Sequence, residues 1–121
     1  MKVKNEVFEM GIVDALKTLQ DTDMPIKEAF KVIGLMDNVQ KAAETYTKAK
    51  GILLQKYGKP STDNPNMYTF EGENGQKFAQ EMQSLLGISF DVNIEKISLP
   101  NTIKLKPREL KVLEPLVEIK E

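Results

Sequence analysis

The stretch Met24-Pro-Ile-Lys-Glu-Ala-Phe-Lys-Val-Ile-Gly-Leu-Met-Asp-Asn-Val-Gln-Lys-Ala-Ala-Glu-Thr-Tyr-Thr-Lys-Ala-Lys-Gly-Ile-Leu-Leu-Gln-Lys-Tyr57 decides the fold. Its spacing predicts one helix of about nine turns. With Ala29 at heptad position a, Met36, Ala43, Lys50 and Tyr57 repeat at a, and Val32, Val39, Tyr46 and Leu53 fall at d. Eight of these nine positions are apolar, a 3.5-residue repeat held over four heptads. Ile26, Phe30 and Ile33 are expected to widen the buried stripe at its start, and Ile52 and Leu54 at its end. Lys27, Lys41 and Lys48 lie opposite the seam, as a solvated back requires.

The ends carry punctuation. Asp21, Thr22 and Asp23 precede Pro25, a first-turn proline whose missing N–H costs nothing there. Gly58 and Pro60 follow Tyr57, and Gly58 is expected to be a left-handed cap. Gly34 and Gly51 each weaken the interior by roughly 1 kcal/mol against alanine.

Working outward, residues 5–20 read as a first helix capped by Asn5, with Phe8, Ile12, Ala15, Leu16 and Leu19 on one face. The short link Gln20-Asp-Thr-Asp23 folds it back on the long helix as an antiparallel hairpin. Val3, between Lys2 and Lys4, allows a short strand. Residues 58–67 hold two prolines among turn formers and read as a loop between a helical half and a mixed half. Met67–Phe70 is compatible with a short strand. Glu71–Gly75 reads as a turn. A third helix is expected over 76–86, closed by Gly87.

Residues 88–95 read as a strand, with Ile88, Phe90, Val92 and Ile94 on a buried face and Ser89, Asp91, Asn93 and Glu95 on a wet one. Residues 96–102 read as a connection, and Ile103 and Leu105 as a short extended run. Pro107 opens a last helix near 107–118 that Pro115 should break or kink. The expected architecture is a single α+β domain over residues 1–121. A long helical hairpin (1–57) packs beside a small, mostly antiparallel sheet with short covering helices (68–121).

Composition restricts the chemistry. The chain has no histidine and no cysteine, so Ser–His and Cys–His nucleophiles, imidazole ligands and zinc–thiolate sites are all excluded. Asp21 with Asp23 reads as helix capping, because the following residues lack the donors of a calcium loop. Glu71 and Glu73 read as a solvated turn. Gly58-Lys59-Pro60-Ser61-Thr62 lacks the earlier glycine of a phosphate loop, where Leu53 stands instead. No cofactor and no metal is implied. The 17 basic and 18 acidic residues give a net charge of −1, which disfavours a dedicated nucleic-acid binder. No run of about 18 apolar residues suggests a membrane span, and the N-terminus does not read as a secretion signal, so a cytoplasmic location is expected.

Two features suggest contact with a partner. Residues 27–59 hold seven lysines against three acidic residues, a local excess of +4. Their bland reading is a solvated face; the sharper one is a contact made by Lys27, Lys41 and Lys48 with an acidic partner or with phosphate backbone. Asp91, Asn93 and Glu95 form either a wet strand face or an acidic recognition edge. Lys50 either fixes the register of an oligomer or snorkels at the edge of the hairpin in a monomer.

The opening Met1-Lys-Val-Lys-Asn-Glu6, the helix start Met24-Pro-Ile-Lys27, the helix end Leu54-Gln-Lys-Tyr-Gly-Lys59 and the ending Leu105-Lys-Pro-Arg-Glu-Leu-Lys-Val-Leu-Glu-Pro-Leu-Val117 resemble a set of small phage and prophage proteins. The resemblance is one of layout and implies a phage- or prophage-encoded protein without an assigned activity. The expected function is a non-enzymatic interaction module that binds a host or phage protein as an inhibitor, adaptor or assembly helper. The alternative is a homo-oligomeric structural or assembly component of the particle.

Overall fold

The computed structural model describes residues 2–64, 67–92, 96–100, 103 and 105–119. The long helix forms as expected: α2, the second of four α-helices among the described residues, spans Ile26–Tyr57. Pro25 is its extended flanking residue, and the Pro25 carbonyl accepts from the Ala29 N–H at 3.0 Å. Every seam position is buried or half-buried: Val32, Met36, Val39 and Tyr46 are buried, and Ala29, Ala43, Lys50, Leu53 and Tyr57 are partly so. Leu35 joins them in the core.

The first helix is shorter than expected. Asn5–Phe8 form a single 3-10 turn, and α1 begins only at Ile12, running to Gln20. Gly11 interrupts the run at φ 83°, a left-handed conformation that glycine adopts without steric cost. Asn5 is not a helix cap. It is buried, its amide donates to the Leu85 carbonyl at 3.0 Å, and its backbone N–H donates to Ile88. α1 therefore covers only part of α2, and the hairpin is lopsided.

Gly58 is also corrected. It is extended (φ −107°) and starts a strand instead of a left-handed cap. The strand Gly58–Pro60 (β2) pairs antiparallel with Tyr68–Phe70 (β3), so the start of the expected loop is pleated. A Cβ on Gly58 would lie 2.9 Å from the Leu54 carbonyl and 3.1 Å from the Phe70 ring. Only a residue without a side chain fits there unless its neighbours shift.

α3 spans Asn74–Gly87, starting two residues earlier than read. Phe78 near its start stacks on Phe70 at 4.8 Å, beside the end of α2. Leu85 near its end meets Asn5, so α3 runs back along α2. It buries no side chain completely.

Two further strands form antiparallel pairing at the N-terminus: β1 (Lys2–Lys4) and β4 (Ser89–Asp91). Of the expected buried face of strand 88–95, Val92 is buried and Phe90 half-buried, but Ile88 is exposed, and residues 93–95 lie outside the described residues. Ile97–Leu99, read as a connection, is strand β5. It pairs in parallel with β6 (Val117–Ile119), where the sequence pattern predicts the end of a helix. Parallel strands need a crossover, and α4 (Pro107–Leu113) supplies it. The helix stops before Pro115, as proline geometry requires. Ile103 is buried without belonging to a strand, and of its expected partners Thr102 and Lys104 lie outside the described residues.

Among the described residues the strands thus segregate into three two-stranded ladders, two antiparallel and one parallel. The fold is α+β. Its core gathers Val3 and Val7, Ile12, Leu16 and Leu19 of α1, Val32, Leu35, Met36 and Val39 of α2, and Ile97, Leu99, Val112, Leu113 and Leu116. Among the described residues that cluster has no buried member between Val39 and Val92, and only Phe90 of that span packs against it, so the far end of α2, the β2–β3 ladder and α3 form a shallower lobe. Among the described residues no helix is long and apolar enough to cross a membrane.

Candidate functional site

Helical spacing sets the geometry of the outer face of α2. Positions 26, 30, 33, 37, 41, 44 and 48 recur at intervals of three and four and share one side. All are exposed. Ile26, Phe30 and Ile33 are not the buried margin that their sequence suggests: they are 83%, 76% and 46% exposed. Ile52 is likewise exposed, whereas Leu54 is half-buried. The physical reason is angular. At 100° per residue Ile26 and Phe30 point about 80° or more away from Val32, Leu35, Met36 and Val39, which gather in the core with Ile12, Leu16 and Leu19 of α1, and the half-exposed Ile33 sits between the two sets. α2 therefore carries two apolar stripes, one buried and one open. Both were present in the sequence; the 3-4 spacing of Ile26, Phe30 and Ile33 is itself a complete stripe.

The structure brings Lys27, Lys41 and Lys48 together on this open face. They run along it over about 30 Å at the helical rise. Asp37 and Glu44 interleave with them, so the face is a mixed-charge strip headed by three apolar side chains. Asp91 lies on a different element, opposite Lys2 in the β1–β4 ladder, and is exposed. Asn93 and Glu95 lie outside the described residues.

A second constellation, which sequence reading did not assemble, ties α2 to the turn before α1. The Tyr46 hydroxyl donates to Glu9 Oε1 at 2.5 Å, and Lys50 Nζ donates to the same oxygen at 2.9 Å. The Tyr46 ring stacks on Phe8 at 5.2 Å, and Phe8 stacks on Phe90 of β4 at 5.3 Å. The Tyr46 hydrogen bond, then that of Lys50, lowers the Glu9 carboxyl from its ordinary value. Burial, then the bond to Glu9, pushes the Tyr46 hydroxyl well up. Lys50 thus pairs within its own chain, which accounts for a lysine at a seam position without an oligomer. The partners are 37 and 41 residues apart, so local spacing carried no signal of them.

Beside this junction an open groove of about 840 Å³ separates the start of α1 from α4. Ala15 and Val112 supply apolar floor, and Asp14, Arg108 and Lys111 line it with both signs of charge. Glu109 at its edge accepts from the Lys106 backbone N–H at 3.0 Å, which, ahead of a Thr18 hydroxyl contact, lowers its carboxyl. That is helix capping, worked by the residue three positions into α4. Among the described residues no group of three or more acidic side chains could hold a metal ion. Neither Asp21 with Asp23 nor Glu71 with Glu73 forms one; Glu71 instead meets Lys59 at 3.3 Å in an exposed ion pair.

Comparison with protein families, with curated proteins and with solved structures returns no match for this chain.

Proposed function

We propose that this chain is a non-enzymatic protein-interaction module, encoded by a phage or prophage, that docks another protein through the outer face of α2. The observation that carries the reading is the exposure of Ile26, Phe30 and Ile33 in a row. Burying a large apolar side chain is worth about 1.5–3 kcal/mol, so leaving Ile26 and Phe30 in water forgoes a substantial stabilisation that a partner can recover. Lys27, Lys41 and Lys48 flank or extend the row and set the orientation of whatever docks. The partner is a host or phage protein met in the host cytoplasm.

The test is affinity capture from infected cells with the wild-type chain and with Phe30→Glu, at several salt concentrations. A stoichiometric protein retained by the first and lost by the second supports the reading. Recovery of no stoichiometric protein overturns it. The second reading, a homo-oligomeric component of the particle, is favoured by the mixed signs of the same face, where Asp37 and Glu44 interleave with Lys27, Lys41 and Lys48.

A further inference from the structure

We infer that Asn74 is a site of spontaneous covalent modification: its side-chain amide hydrolyses through a cyclic imide formed with the backbone of Gly75. Of the asparagines in the chain, Asn74 alone is followed by glycine. The attacking group is the backbone nitrogen of the following residue, and a Cβ on that residue obstructs its approach. Glycine leaves the approach open.

Packing does not require a glycine at 75. A Cβ there would lie 3.5 Å from Phe70 Cβ, an ordinary contact, and alanine is the better helix former. Gly58 is the opposite case, since a Cβ there meets backbone at 2.9 Å.

The start of α3 leaves the step open. Asn74 is its first residue and Gly75 its second, so the Gly75 N–H belongs to the donors at a helix N-terminus that have no intrahelical partner. Glu73, which flanks the helix, makes no side-chain cap. Among the described residues no hydrogen bond holds the Asn74 amide. Asn5 and Asn38, by contrast, donate to the Leu85 carbonyl at 3.0 Å and the Gly34 carbonyl at 3.1 Å. A helical Asn74 keeps the Gly75 nitrogen away from Cγ, so the reaction runs through the frayed first turn. α3 buries no side chain completely, and little opposes that fraying.

The chemistry needs only water and hydroxide. The Gly75 nitrogen gives up its proton and bonds to Asn74 Cγ, and the Cγ–Nδ2 bond breaks with release of ammonia. Water then opens the imide. Cleavage between Cγ and the Gly75 nitrogen leaves an aspartate. Cleavage between the residue-74 carbonyl carbon and that nitrogen leaves an isoaspartate. In sum, amide plus water becomes carboxylate plus ammonium. No acidic side chain stands in the first turn of α3, so the aspartate brings a negative charge where the helix dipole favours one. The isoaspartate adds a methylene to the main chain and breaks the register of that turn.

The experiment is incubation of the full chain at neutral and at mildly alkaline pH, natively and in urea, followed by isoelectric focusing and peptide mass mapping. A species with one more negative charge should accumulate in the native chain, faster at the higher pH and more slowly than in urea. Its mass change, amide to acid, should be confined to the peptide that holds Asn74. Gly75→Ala should slow the reaction severalfold with an unchanged circular dichroism spectrum, and Asn74→Gln, whose longer side chain disfavours ring closure, should abolish it. A native chain that stays unmodified while the unfolded chain converts overturns the inference, because the first turn is then held shut. Equal rates in the native chain and in urea overturn the route through fraying. An acidic species that persists in Asn74→Gln, that maps to another asparagine, or that forms as fast in Gly75→Ala overturns the assignment to this pair.

Discussion

Removing one oxygen, Tyr46→Phe, tests the junction between α2 and the N-terminal turn. A hydrogen bond to an ionised group is worth about 1.5–3 kcal/mol. Here the value must be discounted, because the Glu9 side chain is 46% exposed and keeps Lys50 as a second donor at 2.9 Å. The ring stays, so its stacking on Phe8 is preserved. The expected loss is about 1 kcal/mol, against about 3–5 kcal/mol for Tyr46→Ala, which also removes the buried ring. In urea this shifts the Tyr46→Phe midpoint by about 0.5 M.

The pH dependence of the gap between wild type and Tyr46→Phe gives the sign. The Glu9 carboxyl is lowered in the folded chain, so its contribution is present above the ordinary value of 4.5 and is lost as pH falls below it. The Tyr46 hydroxyl is raised, so its contribution is complete below its ordinary value of 10.0 and is lost as pH rises beyond it. The stability gap should therefore be flat between these two values and shrink on either side. Equal midpoints for wild type and Tyr46→Phe at neutral pH, or a phenylalanine variant as unstable as the alanine one, would refute the assignment.

Three other outcomes follow from packing. Leu35→Ala, at a 1% exposed position, should cost about 2–5 kcal/mol, whereas Phe30→Ala in dilute protein should stay within about 0.5 kcal/mol; the reverse order in a urea titration would mean that the wrong side of α2 faces the core. Gly58→Ala should destabilise by about 1–3 kcal/mol, because the new methyl group meets the Leu54 carbonyl at 2.9 Å and backbone cannot yield as a side chain can; a neutral result in thermal unfolding would contradict that contact. In native-state hydrogen exchange, the amides of α3 should open before those of α1 and the first half of α2, since α3 buries no side chain fully; uniform protection would show that the two lobes unfold as one.

Legibility in the sequence tracked the range of the interactions. The bounds of α2 and its buried seam could be read because helix propagation is local and its core face repeats every three or four residues. Pro115 stopped α4 for an equally local reason. The parallel pairing of Ile97–Leu99 with Val117–Ile119 could not be read, since the strands are short and meet only through α4. For the candidate site, Lys27, Lys41 and Lys48 were correctly expected to lie exposed on one side of α2. Ile26, Phe30 and Ile33 were expected to be buried, and this decides what that side can do.

By itself, then, the order of amino acids determined a long amphipathic helix, an α+β composition and a chain without imidazole or thiol. These depend on residue identity and short spacing alone. Which of the two apolar stripes on α2 is covered was decided by tertiary structure, because Ile12, Leu16 and Leu19 of α1 and Ile97 and Leu99 of β5 gather on Val32, Leu35, Met36 and Val39 and not on Ile26 and Phe30. The same holds for Glu9, drawn to Tyr46 and Lys50 across nearly forty residues: burial and ion pairing are properties of neighbours in space.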